Sequence, residues 1–234
     1  MADRAGAVWR SRPVRLRLVI FDCDGVLIDS EPVVNRVVAE ELTRLGWPMT
    51  PEESCTRFLG LDLEAMVPLV EAALGRTLPA AWVPVMQARI VTALLAYAPM
   101  VPGAREALEA TAALGVPWRV ASNSSHEEMR AKFGCNGLLK AVEGRLHSFT
   151  DVGRGKPAPD LFLAAAAAEN VPPAECLVIE DSVPGVTGAV AAGMACLGLA
   201  RHGDGAALAA AGAIPFDSLF DLPALLRTAP ERPA

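Results

Sequence analysis

Lysine is scarce in this chain. Only Lys132, Lys140 and Lys156 occur among 234 residues, and arginine carries most of the positive charge. With 21 basic against 27 acidic side chains the net charge is −6, so the chain lacks the basic footprint that a nucleic-acid partner requires. There is no apolar run of membrane length and no secretory core segment, which argues against a spanning helix and an exported leader. The five cysteines form no CxxC pair, so free thiols in a reducing cytoplasm are expected. His126, His147 and His202 are the only histidines and read as surface or capping residues. Apolar side chains, by contrast, are abundant: 52% hydrophobic against 21% charged describes a globular chain. Its length suits one domain, or a domain plus an insertion, with a sizeable core. The one cationic stretch contains Arg4, Arg10, Arg12, Arg15 and Arg17. It lacks the serine-rich amphipathic pattern of a transit peptide, so residues 1–15 read as a disordered basic tail.

Short, continuously apolar runs alternate with longer helical stretches, the pattern of an α/β fold whose parallel strands are covered on both faces. Strands are expected at residues 17–22, 117–123, 175–181 and 195–200, with helices near 104–114, 125–133, 159–169 and 183–193. About 94 residues separate the first two strands, far more than a crossover needs. That interval has no strand-like run. Its opening, DSEPVVNRVVAEELTRLG, places Ser30 as a cap, Pro32 in the first turn, and Val33, Val37, Leu42 and Leu45 at helical spacing. Further helical stretches follow near residues 62–74 and 80–96. A Rossmann-like core from residues 16–29 and 99–234, carrying an all-helical cap at 30–98, is the expected architecture.

Three expected strands end in polar clusters: Asp22-Cys23-Asp24, Ser122-Asn123 and Glu180-Asp181. Open parallel sheets bind ligands outside the carboxyl ends of their strands, so these clusters should meet at one edge. Asp22 and Asp24, two residues apart on extended chain, could face one site, and Gly25 permits a sharp turn or a close approach. An Asx-type turn is the alternative for that pair. Four carboxylates at one edge cannot all stay ionised without a counter-ion, and carboxylate oxygens suit Mg²⁺. For Asp181 a simple helix-capping role also stands open. Lys156, in the Gly-Pro-rich loop VGRGKPAPD, offers a point charge to a phosphoryl oxygen or is an ordinary solvated lysine. Ser122 and Asn123 could donate to the same anion, cap the following helix, or both. Together these residues suit a reaction in which Asp22 attacks phosphorus and Asp24 serves as general acid and then general base. Cations stabilise the transferring group.

Four ordered motifs, DCDGV at 22–26, SN at 122–123, GKPAPD at 155–160 and EDSVPG at 180–185, closely resemble those of the haloacid dehalogenase superfamily, in the branch with a helical cap. The resemblance covers about residues 17–225. It implies Asp22 as nucleophile, Asp24 as acid/base, and Ser122 and Lys156 as phosphoryl ligands. It implies Mg²⁺ held by the Asp22 side chain, the Asp24 backbone carbonyl and Asp181, with Glu180 at or just behind the ion. A small phosphorylated sugar or sugar acid is the implied substrate, with Gly25 and Asn123 lining the phosphate end. Asp24, Glu180 and Asp181 argue against true dehalogenase chemistry, and the cap lacks the lysine that phosphonatases use. The β-phosphoglucomutases carry Gly-x-Ser-Arg in the cap loop, whereas Gly60-Leu61-Asp62-Leu63 stands here; a mutase remains the alternative. The FDCDG start and RFLG segment look similar to phosphatases of the 6-phosphogluconate type. Cap candidates for substrate contact are Arg57, Gly60 and Glu31, followed by Arg76, Arg89, Asn35 and Arg36. The oligomeric state, monomer or dimer, is left open by the sequence. A regulatory phosphate-binding protein without turnover would be expected to have lost these acids.

Overall fold

The computed structural model describes residues 16–58, 61–201, 203 and 205–227. The basic tail, Gly60 and His202 lie outside the described residues. Six strands form one parallel sheet: β1 (Leu18–Phe21), β2 (Trp118–Ser122), β3 (Leu146–Ser148), β4 (Cys176–Glu180), β5 (Ala195–Leu199) and β6 (Ile214–Phe216). Their order is β3-β2-β1-β4-β5-β6, so the chain builds one half of the sheet, then returns past β1 to build the other. The period-two geometry of a strand divides β1 between two cores. Val19 and Phe21 join one apolar cluster, while Leu18 and Ile20 join a second. This is why the run LVIF shows no polar alternation: all four residues are buried.

Between β1 and the rest of the sheet lie four helices, α1 (Glu31–Leu45), α2 (Pro51–Arg57), α3 (Leu63–Leu74) and α4 (Trp82–Ala96). The apolar faces of α1 and α4 (Val33, Val37, Leu42; Met86, Ile90, Leu94) merge with the cluster containing Val19 and Phe21. The two connectors to this insertion pair with each other. Asp29 N–H donates to the Pro99 carbonyl (2.8 Å) and Val101 N–H to the Leu27 carbonyl (3.1 Å). The sheet is flanked by α5 (Ala104–Ala113), α6 (His126–Gly134), α7 (Leu139–Val142), α8 (Phe149–Val152), α9 (Asp160–Ala168), α10 (Val183–Ala191), α11 (Gly205–Ala211) and α12 (Leu222–Arg227).

The four expected strands and the helices flanking them are all present. Sequence reading missed β3, β6 and the helices α2, α7, α8, α11 and α12, the two strands because three residues leave no periodicity to detect. α2 did carry a signal: Thr50 and Glu53 form a reciprocal capping box around Pro51. One local expectation fails. Ser30 precedes α1 but does not cap it, because its hydroxyl is committed to the Asp24 carboxylate.

Candidate active site

The chain direction around the sheet reverses between β1 and β4, which opens a crevice at their carboxyl ends. Phe21 lies in register with Ile179, so the next residues, Asp22 and Glu180, emerge side by side. Asp22 N–H donates to the Ile179 carbonyl (2.9 Å), which extends the ladder one step and points the carboxylate into the crevice floor. Ligand oxygens of Asp22, Glu180 and Asp181 all lie within 4.8 Å of one another. Burial, reinforced by Asp22 and Glu180, pushes the Asp181 carboxyl up to about 9. Burial also lifts Asp22 to about 7, with Lys156 opposing and Glu180 and Asp24 adding to the rise. A surplus of buried negative charge carried by hard oxygen donors fits a divalent cation.

Lys156 spans two of these acids. Its ammonium contacts Asp22 Oδ1 and lies 2.5 Å from Glu180 Oε1, above the Phe162 ring. Burial lowers its pKa, but the two carboxylates more than offset that and raise it above the usual lysine range. Both Glu180 oxygens are engaged. Its Oε2 accepts from the N–H groups of Asp181 (3.0 Å) and Ser182 (2.9 Å) and from the Ser182 hydroxyl (2.9 Å). Glu180 therefore stands behind Asp22 and Asp181 as the anchor of Lys156. Two glycines let the backbone come this close. Gly25 adopts φ +78°, and a Cβ there would sit 1.8 Å from Asp181 Oδ2; at Gly185 it would sit 1.9 Å from the Glu180 carboxylate.

Two expected phosphate ligands are otherwise engaged. The Gly25 N–H donates to the Ile28 carbonyl (2.8 Å), so its contribution is shape and not donation. Asn123 brackets the backbone of Lys156, accepting from its N–H (2.8 Å) and donating to its carbonyl (3.2 Å), so it positions that loop. Ser122, at the end of β2, is buried, and its hydroxyl accepts from Ser124 N–H (3.0 Å).

Asp24 holds a network that sequence reading did not anticipate. Its carboxylate accepts from the Lys132 ammonium (2.7 Å), the Ser124 hydroxyl (2.9 Å) and the Ser30 hydroxyl. Burial would raise this carboxyl, but Lys132 and the hydroxyl donors outweigh it and leave the group below its usual range. Lys132 was legible in one respect. It lies three residues after Met129 and beside Phe133, a charge within the buried stripe of α6.

Above this floor lies a cavity of about 660 Å³, walled by the sheet loops and by α1–α4. Glu31, Asn35, Ser54, Cys55, Gln87 and Ile90 line its cap side. The cap arginines do not. Arg57 stacks over Trp47 (5.1 Å) beside a separate surface pocket, because α2 turns that face away. Arg76 donates to the Leu45 carbonyl (3.3 Å), while Arg89 pairs with Glu41 (2.5 Å) and Arg36 with Glu40 (3.0 Å). His126 pairs with Asp151 (2.8 Å), and Cys23 is buried beside β1 as expected.

A doubly wound parallel sheet with an acid–lysine cluster at its switch point and a helical roof over a cavity defines a class of α/β enzymes. Comparison with known proteins agrees. Residues 16–193 match the family model described as haloacid dehalogenase-like hydrolase. The 6-phosphogluconate phosphatase of Escherichia coli K12 is 33% identical over 181 residues, 77% of this chain and 80% of that protein. Hexitol phosphatase B of the same strain is 30% identical over 186 residues, 79% of this chain and 83% of its own. A crystal structure of a haloacid dehalogenase family hydrolase from Deinococcus radiodurans, with bound phosphate and sodium, superposes with a TM-score of 0.79 at 31% identity, covering 94% of this chain and all of that one. The chain belongs to the haloacid dehalogenase-like hydrolase family and is an enzyme. Among the described residues no helix is long and apolar enough to cross a membrane.

Proposed function

We propose that this hydrolase is a Mg²⁺-dependent phosphomonoesterase acting on a small phosphorylated sugar or related metabolite through an aspartyl-phosphate. The observation that carries the reading is Asp22, a buried carboxylate at the end of β1 in contact with Lys156 and grouped with Asp181. Asp22 and Asp181, with the Asp24 carbonyl, would hold the cation; when bound it neutralises these acids and polarises the phosphoryl group.

The Asp22 carboxylate attacks phosphorus, the ester P–O bond breaks, and the departing oxygen takes a proton. Lys156 and Ser122 hold phosphoryl oxygens at the sheet edge, with Lys156 kept charged by Glu180. Asp24, ionised by its contact with Lys132, is prepared to take a proton from the water that cleaves the aspartyl-phosphate. To act first as acid toward the leaving oxygen, Asp24 must gain a proton and leave Lys132. The free cysteines suit a reducing compartment such as the cytoplasm.

The test is phosphate release from a panel of sugar phosphates with Mg²⁺, with EDTA, and with an Asp22→Asn variant. Metal-dependent release lost in the variant is expected. Isomer change of a hexose phosphate without release would transfer the chain to the mutases; no turnover of any substrate would sink the enzymatic reading of this site.

A further inference from the structure

The relatives include phosphatases named for an acidic substrate and for a polyol, so kinship does not choose between them. The charge of the cavity does. We infer that it selects phosphomonoesters whose other groups are hydroxyls or an amine, and turns away those bearing a second anion, whether carboxylate or phosphate. This inference rests on the phosphatase reading above.

The described lining residues include the acids Asp24, Glu31, Asp62, Glu64 and Glu128 against two cations, Lys132 and Lys156, with no arginine among them. Both lysines are buried in ion pairs, Lys132 with Asp24 and Lys156 with Asp22 and Glu180. One of them, Lys156, is needed for the phosphoryl group itself. Neither is left to meet a second anion on the cap side. The acids there differ in their commitments. Asp62 accepts from Ala65 N–H and Glu128 from Ser125 N–H, each at 2.7 Å, as helix-capping groups. The side chains of Glu31 and Glu64, exposed in the first turns of α1 and α3, make no hydrogen bond or ion pair among the described residues. A carboxylate only accepts, so these two can receive hydrogen bonds from hydroxyls or an ammonium but offer nothing to an anion. The neutral polar groups do not reverse this. Ser54 donates to Asn35 Oδ1 (2.9 Å), and Asn35 Nδ2 donates to the Glu31 carbonyl (3.0 Å). Among the described lining residues the uncommitted neutral side-chain donors are few: the Gln87 amide, the Cys55 thiol and the second N–H of the Asn35 and Asn123 amides. Rejecting an anion through unpaired like charge is a familiar way to specificity.

The experiment compares kcat/KM for glucosamine 6-phosphate, sorbitol 6-phosphate and 6-phosphogluconate, with Mg²⁺ at constant ionic strength. The expected order is amine, then polyol, then acid, with at least about tenfold between the extremes. In a Glu31→Gln/Glu64→Gln variant of unchanged Tm, the amine-to-acid ratio should fall at least about fivefold. The acid turning over as well as the amine, or a ratio unmoved by the variant, would overturn the inference. Binding of the same three compounds to the Asp22→Asn protein, followed by calorimetry, reads the preference without turnover. If no substrate released phosphate, the phosphatase reading would fail while this binding order still decided the charge selection.

Discussion

The Lys132–Asp24 pair yields a prediction with an unusual asymmetry. Removing one partner from a buried pair leaves an uncompensated charge and costs about 3–5 kcal/mol. The two partners are not equally buried. The Lys132 side chain is 5% exposed, whereas that of Asp24 is 31% exposed where it opens to the cavity. In Asp24→Ala the stranded charge is the sealed ammonium, so the cost should be about 3 kcal/mol. In Lys132→Met the stranded carboxylate keeps water on one side and the hydroxyls of Ser30 and Ser124, so about 1–2 kcal/mol is expected. For a chain of this size 1 kcal/mol corresponds to about 2–4 °C, so Asp24→Ala should lower Tm by about 6–12 °C and Lys132→Met by about 2–8 °C, one to two thirds of that shift. The double variant strands neither charge. Its loss should fall short of the summed single losses by at least about 1.5 kcal/mol. Urea denaturation of all four proteins in EDTA, so that metal binding does not contribute, measures the cycle. Additive losses, or a larger loss in Lys132→Met than in Asp24→Ala, would refute the burial argument.

Three further predictions concern other parts of the molecule. Arg57→Ala should leave kcat/KM within about twofold of the parent, because Arg57 stacks on Trp47 outside the cavity; a tenfold loss would return it to the substrate site. Saturating Mg²⁺ should raise Tm and Asp181→Ala should abolish that rise, since a ligand at 100 times its Kd stabilises by about 2.7 kcal/mol; an equal rise in the variant would move the ion elsewhere. His147, its Nε2 buried without a hydrogen-bond partner among the described residues, has a pKa lowered by burial and by Arg119. A lowered folded pKa means stability is present above the unfolded value of 6.5 and is lost as pH falls through the folded value. Unfolding free energy should therefore decline below that pH, and His147→Gln should flatten the decline.

The core of the site was legible because its chemistry lies at strand ends. Continuous apolar runs announce buried parallel strands, and the polar residues that close them must emerge along one edge, so Asp22, Ser122 and Glu180 could be gathered before any coordinates. The cap was legible as helices but not as a surface. Spacing located α1, α3 and α4, yet gave no reason to point α2 so that Ser54 and Cys55 face the cavity and Arg57 faces away. Choosing arginines as substrate contacts followed the charge of the expected ligand. The fold instead spends those arginines on Glu40, Glu41, the Leu45 carbonyl and Trp47.

Roles within the motifs were harder to read than the motifs themselves, because a side chain's partners are set by its third dimension. Ser30 stands where a cap belongs and Asn123 where an anion ligand belongs, yet one serves Asp24 and the other the backbone of Lys156. Both are drawn to the nearest demanding group. Asp24 is such a group: a carboxylate beside Asp22 and Asp181 needs its own cation, or its ionised form would add to their repulsion. The lysine that supplies it lies 108 residues away on α6. In a chain with three lysines, two buried at one sheet edge amount to a division of labour. Lys156 neutralises Asp22 and Glu180, and Lys132 neutralises Asp24, which leaves Glu31 and Glu64 as cap carboxylates without an ion pair among the described residues.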